Sequence, residues 1–503
     1  MGEAAMRRPA RQVDYEDIQG IVRFGYRRMT QAVFLLLRVT NADAARAWLA
    51  NARITSAMTQ EPPPTTALQI AFTSEGLRAL GVAEDIIEGF SSEFIVGMSS
   101  DPAHARRLGD IGPSDPAQWQ WGGAPEAIPH VMVMLYAEPG GLEAWGMEAM
   151  AGAEEGFVQL AGLGTSDMDG VEPFGFVDGI SEPTIDWQRE RPARDEERED
   201  YTNLSCLGEY LLGYPNEYGG YTDRPLLDPQ RDPDALLSPA EEAPDKADFG
   251  RNGSYLVLRQ LEQDVSGFWR FIDAQVQGDP TDRKRLAEAM VGRTMDGEPL
   301  VGRTNEAIDG EDDPRNSFTY RDDDAGLRCP IGAHIRRSNP RNADLPAGPP
   351  GFVSWAKRTL GFDAEALAGD LVASTRFHRL LRRGREYGPG VSLADAVAGQ
   401  VPQEGTGLHF ICLGANIARQ FEFVQSAWLS GIRFNGSPDE SDPLIGNHLP
   451  RADGTATDCF SMPVAAGPAQ RVCGLPQFVT VLGGAYFFLP GLRALRYIAK
   501  GEP

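Results

Sequence analysis

Histidine and cysteine are scarce in this chain: 503 residues hold six histidines and five cysteines. Metal chemistry that uses imidazole must therefore draw on a short list of positions. The cysteines Cys206, Cys329, Cys412, Cys459 and Cys473 show no CxxC spacing and are odd in number, which argues against a zinc site or a disulfide framework. Reduced thiols in a cytoplasmic setting are expected. Positive charge is also in short supply, with 47 Lys and Arg against 72 Asp and Glu and a formal net charge of -25. A surface of that sign repels phosphates, so no nucleic-acid partner is expected. No stretch reaches the ~18 apolar residues of a membrane-crossing helix. Arg7-Arg8 is followed by the polar run Pro9 to Asp17, so no signal peptide or twin-arginine leader is read there, and no membrane partner.

At 42% hydrophobic content the chain is large enough to bury more than one core unit. An apolar strand leading into an amphipathic helix with an aromatic residue recurs four times. The copies are Gln31–Thr40 with Ala42–Ala52, His130–Ala137 with Gly141–Met150, Ser254–Leu261 with Val265–Gln275, and Leu408–Leu413 with Ile417–Leu429. Two such units per half predict a duplicated α+β layout, each half a sheet with helices on one face. The segments 188–200, 226–249 and 305–326, rich in charge and turn residues, read as solvated loops or as a substrate-facing rim favouring cationic or neutral molecules over anions.

Three segments carry the chemistry. Val171-Glu-Pro-Phe-Gly-Phe-Val-Asp-Gly-Ile-Ser-Glu-Pro183 sets Asp178 among apolar residues and before Gly179, as a structural cap or a titratable group. Cys329-Pro-Ile-Gly-Ala-His-Ile-Arg-Arg-Ser-Asn-Pro-Arg341 places His334 behind Gly332 and Ala333, where a planar group could approach, with Arg336, Arg337 and Arg341 close by. It reads equally as a core histidine beside a solvated basic loop. Phe377-His-Arg-Leu-Leu-Arg-Arg-Gly-Arg-Glu-Tyr-Gly388 reads as a helix end capped by Gly384, or as a turn that sends Arg382 inward.

Together, and in this order, the three elements resemble those of the dye-decolorizing peroxidases. The resemblance runs from about Tyr26 to Tyr497 and includes Gly407-Leu-His-Phe-Ile-Cys-Leu413 and Phe478–Phe488. The stretch containing 348–357 and 362–371 makes the chain similar to the long bacterial members. The resemblance implies two ferredoxin-like halves, residues 1–250 and 251–503, with antiparallel sheets packed together in a dimeric α+β barrel arrangement, helices outside and heme in the second half. It implies one heme b per chain, with His334 as axial iron ligand and His378 as the fallback. Asp178 would move the proton of hydrogen peroxide and Arg382 would stabilise the departing hydroxide.

Leu408 and Phe410, two residues apart on one strand, match the pair lining the distal side in the family, though both also suit a plain core. Arg341 matches a heme propionate contact. Tyr387 matches an electron relay from bulky substrates, and is equally a packed aromatic. Asp442 is a candidate for the hydrogen bond to the far imidazole nitrogen. Ala485 stands where a carboxylate is common in the family. The expected function is a peroxidase oxidising bulky organic reductants such as dyes and phenolics; the alternative is a heme-binding or heme-handling protein of the same fold. Exposed strand–helix faces make a homo-oligomer plausible.

Overall fold

The computed structural model describes residues 12–190, 202–304, 308, 313–341, 375–437 and 439–501; segments 191–201, 348–357 and 362–371 lie outside them. The apolar runs form strands because their β-branched and aromatic side chains suit a pleated, packed surface. These are β1 (Gln31–Val39), β3 (Val131–Ala137), β5 (Ser254–Gln263) and β8 (Gly407–Gly414), joined by β2 (Thr66–Phe72), β4 (Phe157–Gly164), β6 (Leu381–Arg382), β7 (Arg385–Tyr387) and β9 (Val479–Leu489). Helices follow where a polar side chain stops the strand. Asn41 caps α1 (Ala42–Asn51) by accepting from Asp43 N and Ala44 N, and Asp264 caps α3 (Val265–Gln275) by accepting from Gly267 N. The exposed α2 (Leu142–Ala149) and the terminal α4 (Leu492–Lys500) complete the layer, while 418–429 winds in wide π turns.

All nine strands belong to one antiparallel sheet, in the order β6-β8-β5-β9-β2-β3-β1-β4 with β7 also on β8. Each half repeats one spatial order, its fourth strand beside its first, then its third, then its second. The halves join edge to edge through one residue pair, Phe488 with Phe72. This corrects the expected barrel: no sheet among the described residues closes, and the path ends freely at β4 and at β6 and β7. The edges do approach, since Ser166 N donates to Glu386 O at 2.8 Å and His409 Nε2 lies 3.0 Å from Gly164 O. Strands of two and three residues, broken at Gly384, are too short to continue that contact as a ladder.

Alternation sends side chains to two cores. One face buries Phe34, Met134, Tyr136, Leu256 and Phe487 against the N-terminal segment and Tyr210. The other buries Ile70, Val133, Val257 and Phe488 under α1 and α4. A third cluster packs Phe174 and Phe176 on Phe268 and Trp269 of α3, so the segment leading to Asp178 is anchored to a helix.

Two further expectations fail. Cys459 and Cys473 form a disulfide, and Cys206, Cys329 and Cys412 are buried. The hairpin strands Cys459–Met462 and Gln470–Cys473 set the pair directly opposite each other, which a 14-residue separation hides in the sequence. Residues 381–387 form strands instead of a helix end, because Leu381 and Arg382 pair with Leu413 and Cys412 of β8. No helix among the described residues is long and apolar enough to cross a membrane.

Phe34 is fully buried, with its ring centroid 5.9 Å from Tyr136 and 5.8 Å from His409. Phe34→Ala should cost about 3–5 kcal/mol in urea unfolding; a loss under ~1 kcal/mol would contradict this packing.

Candidate active site

The loop that carries Asp178 is built around Glu172. Its carboxylate accepts from Phe174 N and Phe176 N, both at 3.0 Å, and from Gln263 Nε2 at 2.8 Å. Its own N–H donates to Phe176 O at 2.9 Å. Gly175 and Gly179, with φ of +100° and +72°, take the left-handed turns that reverse the chain on either side of Asp178. Asp178 Oδ1 accepts from Gly179 N at 2.6 Å and from Arg382 Nη1 at 2.9 Å. Oδ2 has no hydrogen bond among the described residues.

Arg382 reaches the loop from β6. Its Nε lies 3.1 Å from Glu182 Oε1, and its backbone N donates to Glu182 Oε2 at 2.8 Å, so one guanidinium is shared by two carboxylates. Burial alone would raise Asp178; the Arg382 charge and the Gly179 N–H outweigh it and hold the carboxyl below its ordinary range. Glu182 is held above its range, chiefly by burial. Asp178 raises Arg382 in turn, so the guanidinium stays charged.

Across the cavity His334 begins a short helix, His334–Ser338. Its Nδ1 lies 3.0 Å from Asp442 Oδ2, and Asp442 is fully buried. Asp442 Oδ1 is itself fixed, accepting from Leu444 N at 2.9 Å and Ile445 N at 3.0 Å. Burial would lower His334, but the Asp442 charge and hydrogen bond raise it above its ordinary value. With Nδ1–H committed to a carboxylate, Nε2 keeps its lone pair for the cavity.

Asp178, Arg382, His334, Arg341, Leu408 and Phe410 all line one cavity of about 710 Å³. Leu408 and Phe410 are both half-buried on one face of β8, with the buried His409 between them pointing away. Arg341 is 2% exposed, donates from Nη1 to Asn316 O and Phe318 O at 3.0 and 2.9 Å, and lies over the Phe318 ring. Asp442 sits behind His334 rather than on the wall. Tyr387 is not on the wall either: it is buried and stacks on His409 at 4.5 Å. His378 does line the cavity, but it stacks on Phe423 at 3.7 Å and is lowered to about 4, mainly by burial. Arg336 and Arg337 belong to no solvated loop. They are buried and bound to Asp323, Cys329 O, Trp428 O and Glu440 O.

Among the wall residues with no role assigned from the sequence are Glu172, Glu182 and Arg293. The first two stand inside the quoted Asp178 segment but carry no spacing that reveals their partners. Arg293 bonds to Gly297 O and Arg315 O and is lowered to about 10 by burial and by Arg341.

The residues fit heme. The volume falls within the ~300–1,000 Å³ usual for cofactor pockets. No group of three or more His, Cys, Asp or Glu that could hold a bare metal ion occurs among the described residues. The wall carries the imidazoles of His334 and the stacked His378, and imidazole is a group that can hold a porphyrin iron. Arg293 and Arg341 place two guanidinium groups on the wall, which suits an anionic cofactor.

No family model matches the chain. Curated relatives do. The multifunctional dye peroxidase DyP2 of Amycolatopsis sp. is 29% identical over 86% of this chain and 82% of its own length. The dye-decolorizing peroxidase msp1 of Mycetinis scorodonius is 27% identical over 96% and 87%. Over most of its length the chain is similar to the dye-decolorizing peroxidases. Among solved structures, a decolorizing peroxidase from Auricularia auricula-judae shares the fold at a TM-score of 0.71 and 24% identity, covering 97% of this chain and all of that one. The DyP-type peroxidase of Anabaena sp. does so at 0.70 and 22%, covering 96% and 94%. Relatives of both bacterial and fungal origin thus match this peroxidase over nearly its whole length.

Among the carboxyls that burial raises, Glu172 and Glu209 reach about 7 and Asp17 about 6. Unfolded carboxyls ionise near about 4. Between those values the folded chain keeps protons that the unfolded chain has lost, so stability is full below about pH 4 for these groups and falls as pH rises to about 7. Replacing Glu172, Glu209 and Asp17 by their amides should remove this fall from the urea-unfolding free energy across that window; an unchanged pH dependence would contradict these burials.

Proposed function

We propose that the cavity holds one heme b, with His334 as axial ligand, Asp178 as proton carrier and Arg382 as charge stabiliser, in a peroxidase acting on bulky organic reductants. The observation that carries this is the common cavity: the fixed imidazole and the carboxylate–guanidinium pair face the same space. Heme iron, when bound, supplies the redox chemistry, passing two electrons to hydrogen peroxide and regaining them singly from organic reductants.

The chain's residues supply the rest. Asp178 Oδ2 takes a proton from one peroxide oxygen and delivers it to the other, which becomes the leaving water. Arg382, pinned by two carboxylates, offers fixed positive charge where the departing oxygen gathers negative charge, at no cost in reorganisation. Asp442 orients the imidazole and strengthens it as a ligand. Leu408 and Phe410 keep bulk water from the reacting oxygens. Arg341 and Arg293 suit the carboxylates of heme. Residues 1–250 and 251–503 act as two units, the first bringing Asp178 and the second the remaining groups. Dyes and phenolics are the substrate class; the relatives' names state dyes for those proteins. Tyr387, one layer behind the wall on His409, is the relay position for reductants too large to enter. The Asp178–Arg382 pair favours turnover over simple heme handling, which needs neither group.

Asp178→Asn should lower kcat/KM for hydrogen peroxide by about 10²–10⁴, and Arg382→Leu by about 10²–10³, with the heme absorption spectrum retained in both. Because Asp178 lies below its ordinary range, its base form survives in acid and turnover should favour acidic pH. A profile peaking well above neutrality, or full activity in Asp178→Asn, would contradict its role.

A further inference from the structure

Behind the cavity wall lies a buried polar cluster that the roles above leave unused. Tyr486, on β9, is 2% exposed and donates its phenolic O–H to Glu422 Oε1 at 2.9 Å. His104 Nε2 lies 2.6 Å from the same oxygen. One carboxyl oxygen of Glu422 is thus within hydrogen-bond reach of both a phenol and an imidazole. The cluster is one ring away from the cavity. Phe421 lines the wall, and its centroid is 6.1 Å from Tyr486 at 74° and 6.3 Å from Phe410, also on the wall.

Other buried tyrosines are differently placed. Tyr214 donates to the amide oxygen of Asn252, and Tyr136 lies 3.9 Å from the sulfur of Met134; neither partner is a base. The difference matters because a phenol that loses an electron becomes a strong acid. In a buried site the proton must leave with the electron, since a stranded cation is costly there. Glu422 is already in hydrogen-bond contact to receive it, with no side chain having to move.

We propose that Tyr486 is a one-electron redox site of this peroxidase, giving an electron to the peroxide-oxidised cofactor while its phenolic proton passes to Glu422. This rests on the heme peroxidase reading above. One O–H bond breaks at Tyr486 and one forms at Glu422 Oε1; Tyr486 is oxidised to a neutral phenoxyl radical, and the cofactor is reduced by one electron. An external organic reductant restores the phenol, with the proton returning from Glu422. The site holds one oxidising equivalent in the protein while no reductant is bound. Burial and the Glu422 charge keep the resting phenol protonated.

The test is electron paramagnetic resonance on heme-loaded protein, frozen shortly after one equivalent of hydrogen peroxide is added without reductant. Wild type should give a tyrosyl signal whose hyperfine splitting collapses with ring-deuterated tyrosine. Tyr486→Phe should lose that signal while keeping the resting heme spectrum. Glu422→Gln, which still accepts a hydrogen bond but cannot take the proton, should form the radical more slowly or in lower yield. A tyrosyl signal unchanged in Tyr486→Phe, or no tyrosyl signal from wild type that consumes peroxide, would overturn the assignment. Protein that shows no heme spectrum at all would overturn the reading beneath it instead, which the spectrum reveals before any peroxide is added.

Discussion

Arg382 donates to Asp178 and lies against Glu182, so one guanidinium ties a strand of the second half to a loop of the first across about two hundred residues of chain. Most other features of the cavity follow from that tie. Asp178 can stay ionised in an apolar setting only because this charge is beside it. Arg382 in turn can stay buried because two carboxylates compensate it. The short strand β6 fixes the backbone from which the guanidinium projects, through its pairing with β8. β8 also presents Leu408 and Phe410, so the charged pair and the apolar wall share one rigid support.

The opposite wall repeats the logic with different groups. His334 is held by Asp442, and Asp442 by two backbone amides, so the imidazole is aimed by a chain of contacts that ends in fixed main chain. Arg336 and Arg337, next in sequence, spend their donors on carbonyls and Asp323 and brace the helix. Arg336 and Arg337 thus brace the site from behind, whereas Arg341 lines the cavity. Polarity alone does not separate the two kinds; their partners do.

That division shows where the sequence was legible. His334, Asp178 and Arg382 stand in short motifs that can be read residue by residue, and the strands declare themselves by β-branched and aromatic runs. Glu182 and Glu172 were in view but mute, because what they do depends on Arg382, Gln263 and backbone amides brought close only by folding. The same holds for Cys459 and Cys473, which a hairpin register sets opposite each other. The sheet was misjudged as a closed barrel because strand order says which strands are neighbours within a half. It does not say that β9 and β2 share an edge, or that β6 and β7 are too short to complete the circle. The segment around Arg382 was ambiguous for a related reason: its cations suit a helix end, and only pairing with β8 decides for strand.

The central claim is that His334 is the protein's hold on the cofactor iron, and ligand replacement tests it most directly. Hemin titrated into the cofactor-free protein should saturate at one per chain with a histidine-ligated spectrum. His334→Gly should lose that spectrum and regain it when free imidazole is added, because Asp442 remains to orient the replacement. A histidine-ligated spectrum persisting in His334→Gly without imidazole would contradict the account.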